Sequence, residues 1–129
     1  MSRLPITRDL NVARDLTATV FEDQDLNLYE LHTANHGAML GVIEGRTFRG
    51  CRIQGPAVML VSSGVRFDDC NFGDPDGDMR NLVLRPTGAR ALGTVPFRDT
   101  LFEGCEFWNV GFTGPEPVLN DLLGVRSVA

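Results

Sequence analysis

Bulky apolar residues recur every five positions in the segment TLFEGCEFWNVGFTG, which runs from Thr100 to Gly114. The large positions are Phe102, Phe107 and Phe112. A smaller apolar residue, Cys105 or Val110, lies two positions before the second and third of them. A lone strand alternates with period two and an amphipathic helix with period 3.6, so neither explains this spacing. A chain that turns a corner about every five residues does, because one large and one small side chain per face would point inward.

Part of this pattern occurs in three copies along the chain, each with an aromatic residue, two residues, Cys, one residue and a bulky apolar residue. The copies are FRGCRI from Phe48, FDDCNF from Phe67 and FEGCEF from Phe102. The first two begin 19 residues apart, and the third follows after 35, which fits one further turn plus an insertion. We expect a degenerate earlier copy in LYELHT, which begins at Leu28.

Apolar segments bounded by Gly, Pro or Ser lie between these copies and are typical of strands. They are GAMLGVIEG (Gly37 to Gly45), GPAVMLVSS (Gly55 to Ser63) and RNLVLRPTG (Arg80 to Gly88). Strands and turns that repeat at near-constant length can stack as a parallel solenoid, with identical positions superposed in neighbouring coils. The sequence therefore predicts an all-β fold, a right-handed parallel β-helix of about four to five rungs.

The segment from Thr100 to Gly114 resembles the pentapeptide-repeat proteins and, more broadly, the small right-handed parallel β-helices, and the copies at Phe48 and Phe67 share part of the resemblance. In such a coil each rung pairs with the next. We expect one buried column of Cys51, Cys70 and Cys105 and, beside it, one of Phe48, Phe67 and Phe102. Within the insertion, NLVL should stay in the coil, while Gly73 to Met79 and Pro86 to Pro96 should form loops outside it.

We expect one domain over residues 1–129 whose two ends are capped, because the ends of a solenoid expose unpaired backbone and apolar core. Residues 1–20 should form an N-terminal cap or first coil, and residues 115–129 a C-terminal cap. Pro115 and Pro117 cannot continue a strand ladder, and the apolar residues after them have helical spacing. A short capping helix is therefore predicted from Glu116 to Leu123.

The composition restricts the class of protein. The chain has 129 residues, 43% of them hydrophobic, and a net charge of −5, which argues against direct nucleic-acid binding. It has no apolar run long enough for a signal-peptide core or a membrane span, so we expect a cytoplasmic protein without membrane contact. Three cysteines without a close pair fit a reducing compartment and do not resemble a zinc site, and we expect no cofactor.

Two short motifs could hold a cation. GDPDGD places Asp74, Asp76 and Asp78 on alternate positions, as in a calcium loop, but its Gly and Glu positions do not fit an EF-hand. Pro and Gly among aspartates are also what an exposed turn needs, so these three carboxylates are weak binding candidates and a plain loop is favoured. His32 and His36 have a helical metal-ligand spacing, yet Asn35 and Gly37 favour a turn.

The function predicted from these features is a non-catalytic scaffold or protein-interaction module that binds a protein partner or a second copy of itself as a homodimer. One alternative is a small β-helix that binds or cleaves carbohydrate. Its best cue is Trp108, which follows an inward phenylalanine and should point outward, where an aromatic face can stack on a sugar ring. A second alternative follows from the resemblance, since some pentapeptide-repeat proteins imitate the shape and charge of duplex DNA and bind topoisomerases.

Overall fold

Short parallel strands and two helices form the regular structure of the part of the chain that the structure describes. The computed structural model describes residues 5–36, 41–73 and 93–123. The strands are β1 (Val20–Glu22), β2 (Asp25–Asn27), β3 (Ile43–Glu44), β4 (Thr47–Arg49), β5 (Arg52–Val61), β6 (Arg66–Asp68), β7 (Thr94–Arg98), β8 (Leu101–Glu103) and β9 (Glu106–Thr113). The helices are α1 (Leu28–His36) and α2 (Glu116–Leu123). Among these residues, no helix is long and apolar enough to cross a membrane.

The first sheet has the order β1-β4-β8-β6, and every pair in it is parallel. Its register places four phenylalanines opposite one another: Phe21, Phe48, Phe102 and Phe67. Their rings stack nearly parallel, with centroids 4.8, 5.0 and 5.2 Å apart in that order. We call this stack the phenylalanine column. The predicted column of Phe48, Phe67 and Phe102 is confirmed with a fourth ring, but Phe67, at its end, is only partly buried.

The order of the strands in this sheet differs from the expectation that each rung pairs with the next. The strand of the third copy, β8, lies between the strands of the first and second copies, β4 and β6. All three copies place a phenylalanine at the inward position, so the apolar pattern along the chain does not distinguish the observed strand order from the expected one. Spacing along the chain identified the members of the column but not their neighbours.

The second sheet is built around the long strand β5 and has the order β2-β5-β7-β3, with β9 also paired to β5. The first part of β5 pairs with β2, its last part pairs with β7, and β9 follows it on the other side with a register shift between Gln54 and Ala57. Ile53 lies opposite Phe107, and Met59 lies opposite Phe112; all four side chains are fully buried. The predicted strand in GPAVMLVSS is therefore confirmed, and it begins earlier, at Arg52.

The predicted outer loop from Pro86 to Pro96 is wrong in its last residues. Thr94 to Pro96 belong to β7, which pairs with both β5 and β3. Val95 and Phe97 point into the core, so the alternation of strand positions outweighs the signal of Pro96, which lacks a backbone donor. Residues 80–92, which include the rest of that loop up to Gly93 and the segment Arg80 to Gly88, lie outside the described residues.

Left-handed backbone at two corners explains why the chain turns where it does. The residue two positions after each ring of the phenylalanine column has a positive φ between 52° and 61°. These residues are Asp23, Gly50, Gly104 and Asp69. A second corner comes three positions before the ring, at Gly45, Gly64 and Asp99. Gly, Asp and Asn are the residues that adopt this conformation most readily, which accounts for the Gly or Asp before each cysteine or its equivalent.

The three cysteines are free, buried and stacked beside the phenylalanine column, as predicted. Each thiol donates to the backbone carbonyl of a ring residue on the neighbouring strand. The Sγ–O distances are 3.5 Å from Cys51 to Phe21, 3.2 Å from Cys105 to Phe48 and 3.3 Å from Cys70 to Phe102. Hydrogen bonding with Cys51 and Cys70, together with burial, raises the pKa of the Cys105 thiol. These thiols therefore serve as small core residues.

The helix predicted from Glu116 to Leu123 is confirmed as α2, which buries Leu119 and Leu122 against the core. Helix α1 was not expected, and it overturns both the degenerate repeat at Leu28 and the turn predicted around His32 and His36. The side chain of Asn27 accepts the backbone N–H groups of Tyr29 and Glu30 and so caps the helix. Phe21, in the segment FEDQDL, takes the repeat position instead.

Candidate functional site

A row of polar side chains crosses the second sheet at the position that follows each cysteine. Asp25, Arg52 and Glu106 lie opposite one another on β2, β5 and β9, and Asn71 forms a bridge to Glu106. We call these four residues the polar ladder. The neighbouring side chains Leu26, Ile53 and Phe107 point into the core, so the polar ladder lies on the outer face. Asp25 and Glu106 are nevertheless buried, at 8% and 6% exposure, because residues 6–11, which we call the N-terminal segment, cover them.

Asp25 is the centre of this network. Its carboxylate accepts Nε and Nη2 of Arg52 at 2.6 and 2.9 Å, Nη1 of Arg8 at 3.0 Å and the backbone N–H of Asn11 at 2.6 Å. Burial alone would raise the pKa of Asp25, but the hydrogen bonds from Arg52, Arg8 and Asn11 together hold it well below its usual range. Asp25 is therefore a fixed anion at neutral pH.

Two other members of the polar ladder, Glu106 and Arg52, also bind the N-terminal segment. Glu106 accepts the backbone N–H of Ile6 at 2.7 Å through Oε2 and the indole N–H of Trp108 through Oε1. Arg52 donates to the carbonyl of Asp9 at 3.1 Å, and Arg8 donates to that of Gly50 at 3.1 Å. These contacts fasten the segment that precedes β1 onto the outer face of the second sheet.

The prediction that Trp108 points outward is confirmed, because this residue is 47% exposed. It lines a shallow groove of about 160 Å³ on the outer face. The groove is lined by Leu10, Asp25, Leu26, Arg52, Gln54 and Trp108. The indole therefore lies beside the N-terminal segment and beside polar side chains that point out of the sheet, rather than beside helix α2.

An acidic groove of about 400 Å³ follows the corner of the first sheet. Its lining is Glu22, Asp23, Arg49, Gly50, Asp68, Asp69, Glu103 and Gly104. Arg49 is the cation of this lining and lies 3.5 Å from a carboxylate oxygen of Glu22 and 3.6 Å from one of Glu103. The side chains of these pairs are about half exposed, so solvent screens them strongly.

A third groove, of about 460 Å³, lies between the strand β6 and helix α2. Its lining is Val65, Arg66, Phe67, Asp69, Cys70, Phe72, Val118, Asp121 and Leu122. The apolar members are side chains at the end of the phenylalanine column and on the inner face of α2, and the charged members lie at the rim. We call it the β6 groove.

The remaining candidate residues from the sequence are three aspartates and two histidines. Asp74, Asp76 and Asp78 lie outside the described residues. His32 and His36 lie on α1, at the helical spacing that a metal pair would need. Within residues 5–36, 41–73 and 93–123, no group of three or more His, Cys, Asp or Glu side chains is placed to hold a metal ion.

The sequence did contain a signal for the polar ladder. Aligning the copies on the cysteine places Arg52, Asn71 and Glu106 at one position, and aligning Gln24 with the cysteines adds Asp25. The signal was weak because the four residues differ in chemical type, whereas the Phe and Cys positions repeat one residue. Arg8 could not have been found in this way, since it lies outside any copy.

No family model, no curated protein and no solved structure matched this chain. The functional inference therefore rests on the geometry of these three grooves and of the polar ladder.

Proposed function

We propose that this chain is a short right-handed β-solenoid of the pentapeptide-repeat kind, which acts as a non-catalytic scaffold and binds a protein partner or a second copy of itself. Support for the solenoid comes from parallel strands whose equivalent residues lie in register, with four phenylalanine rings and three thiols stacked at strand spacing. Such a stack makes a stiff surface on which side chains keep fixed positions, and that suits a binding module.

The observation that carries the non-catalytic proposal is that the carboxylates of Asp25 and Glu106 are buried and hydrogen-bonded within the protein. The oxygens of Asp25 and Glu106 accept hydrogen bonds from Arg8, Arg52, Trp108 and the backbone of the N-terminal segment. A general acid needs a proton near neutral pH, whereas the contacts of Asp25 lower its pKa. Both carboxylates therefore fit a structural role better than the acid–base pair of a glycoside-cleaving enzyme.

The proposal is tested with Glu106→Gln, which removes the charge of the ladder residue next to Trp108 at nearly constant volume. We expect the wild-type protein to release no reducing ends from a panel of polysaccharides, and to form a stoichiometric complex with a protein in sedimentation experiments. Glu106→Gln should lower the melting temperature only. Turnover of a polysaccharide by the wild-type protein that is lost in Glu106→Gln would contradict the proposal.

A second candidate function, carbohydrate binding without cleavage, is favoured by one observation. The half-exposed indole of Trp108 lies in a groove with Arg52 and Gln54, so an apolar face and hydrogen-bonding groups are adjacent, as in sugar-binding sites. Titration with oligosaccharides, followed by the fluorescence of this single tryptophan, tests it. A saturable change that is weakened in Gln54→Ala would favour sugar binding, and a flat response up to millimolar sugar would favour the scaffold.

The acidic groove favours a third candidate, the imitation of DNA. Glu22, Glu103 and Asp68 follow one another across the sheet at strand spacing, with Arg49 between the first two. If this row imitates phosphates, the protein should inhibit a purified topoisomerase, and Glu103→Gln should weaken the inhibition. Unchanged topoisomerase activity at a large excess of the protein would exclude this candidate.

A further inference from the structure

In the part of the chain that the structure describes, strand β6 forms one edge of the first sheet and directs hydrogen-bonding groups away from it. The backbone N–H of Arg66 donates to Thr100, and the carbonyl of Asp68 accepts the N–H of Gly104. These contacts fix the alternation of the strand, so the N–H and C=O of Phe67, between them, point to the side opposite β8. A residue that directs both groups outward is what the hydrogen-bonded position of an antiparallel pair requires.

The phenylalanine column also ends at this edge. Phe21, Phe48 and Phe102 are completely buried, whereas the ring of Phe67 is partly exposed and forms part of the floor of the β6 groove. Among residues 5–36, 41–73 and 93–123, the stack therefore presents an apolar ring beside a strand edge with which no other strand pairs. Exposed edges of this kind pair readily with another strand.

We propose that a second copy of this chain covers the β6 groove, with the two β6 strands paired antiparallel about a two-fold axis at Phe67. The inference deepens the proposed scaffold function by naming its partner and surface. Phe67 would exchange both backbone hydrogen bonds with Phe67 of the second copy. The two phenylalanine columns would then meet inside one continuous sheet.

Charge complementarity selects this occupant. In an antiparallel pair centred on Phe67, Arg66 of each copy lies opposite Asp68 of the other, which gives two opposite-charge pairs. Within one copy, Asp68 lies opposite Glu103 in the register of β6 and β8, a like-charge neighbour. An arginine from a second copy would supply the opposite charge. The strand β1 at the other edge lacks this symmetry, since pairing it about Phe21 would place Val20 opposite Glu22.

The test is sedimentation equilibrium of the full chain from low micromolar to several hundred micromolar protein. The wild-type protein should be a dimer at the higher concentrations. Arg66→Asp and Asp68→Arg each place like charges opposite one another twice per dimer, so each should raise the dissociation constant about tenfold or more. The double variant Arg66→Asp/Asp68→Arg restores opposite charges and should recover most of the affinity. Arg14→Asp, an exposed charge reversal outside the β6 groove, is the matched control and should leave the dissociation constant unchanged.

Hydrogen exchange provides a second measurement that does not depend on substitutions. A peptide containing Phe67 should exchange more slowly as protein concentration rises, while a peptide containing Val20 should not change. A monomer at all concentrations, or a dimer that the double variant weakens as much as the single variants do, would overturn the proposal. A monomer that still forms a complex with a different protein would overturn this inference but leave the scaffold function standing.

Discussion

The phenylalanine column and the polar ladder are built from positions four residues apart in each copy, yet their side chains stack in opposite ways. The column repeats one residue type, and its rings gain contact by lying about 5 Å apart. The polar ladder alternates in sign, from Asp25 to Arg52 to Glu106. Identical charges at the spacing of neighbouring strands would repel one another, whereas alternating charges attract. In this chain the repeat is therefore visible in the sequence at the apolar positions and is difficult to recognise at the polar ones.

The largest effect is expected inside the column. Phe102 is fully buried between Phe48 and Phe67, so Phe102→Ala should reduce the free energy of unfolding by about 3 to 5 kcal/mol, the usual cost of emptying a packed aromatic site. Phe67→Ala should cost clearly less, because the ring at the end of the stack is partly exposed. Urea unfolding followed by circular dichroism measures both. Equal losses for the two variants would show that the column does not end at Phe67.

The next effect is expected at the centre of the polar ladder. Asp25→Asn keeps the shape of the side chain but leaves Arg8 and Arg52 without their shared anion, which should cost about 3 kcal/mol at neutral pH. Because Arg8 fastens the N-terminal segment, this variant should also expose that segment to proteolysis. An unchanged rate of cleavage near residue 8 would contradict the assigned role of the polar ladder.

Low pH should remove the contribution of the Asp25 carboxylate to the free energy of unfolding. The pKa of Asp25 is lowered in the folded protein from its ordinary value of 3.8, so its charged form stabilises the fold above about pH 4. This stability is lost as pH falls through 3.8 toward the lower folded value. The difference in unfolding free energy between the wild-type protein and Asp25→Asn should therefore be constant from pH 5 to 7 and shrink below pH 4. A difference that stays constant below pH 4 would rule out Asp25 as the group responsible.

Sequence reasoning recovered the parts of the fold that depend on identical residues. The buried Phe and Cys positions, the strand after Gly55, the outward Trp108 and helix α2 were all predicted. It failed where the cause lies in contacts between distant segments. The place of β8 between β4 and β6 depends on which of three equivalent strands pair with each other. The hydrogen bonds of Arg8 to Asp25 and Gly50 come from a segment that contains no copy of the repeat. Helix α1 was not predicted because the spacing of LYELHT from Phe48 matches the repeat, whereas its helical signals, the Asn27 cap and two buried leucines, are local and short.

A smaller effect is expected at the corner that separates the column from the polar ladder. Gly50 has a φ of 61°, and a methyl group there would collide with the carboxylate of Asp23. Gly50→Ala should therefore cost about 1 to 2 kcal/mol, about 1 kcal/mol of it from the left-handed backbone and the rest from turning the exposed Asp23 carboxylate aside. Gly45→Ala is the matched control, because Gly45 has a φ of 69° with nothing within 4 Å of the added methyl group. If both variants lose the same stability, close stacking of the corners contributes nothing.

The smallest effect is expected where a charge row is left open to solvent. Arg49 lies between Glu22 and Glu103 much as Arg52 lies between Asp25 and Glu106, but the side chains of its two ion pairs are 46 to 63% exposed. Water and salt screen such pairs, so Arg49→Ala should change the free energy of unfolding by only about 0.5 kcal/mol, and less at high salt. The loss in Asp25→Asn should depend little on salt, because the N-terminal segment excludes water from that pair. Thermal unfolding of both variants at low and high salt measures how strongly each loss of stability depends on salt. A salt-independent loss of several kcal/mol in Arg49→Ala would mean that burial does not explain the different strengths of the ion pairs of Arg49 and Arg52.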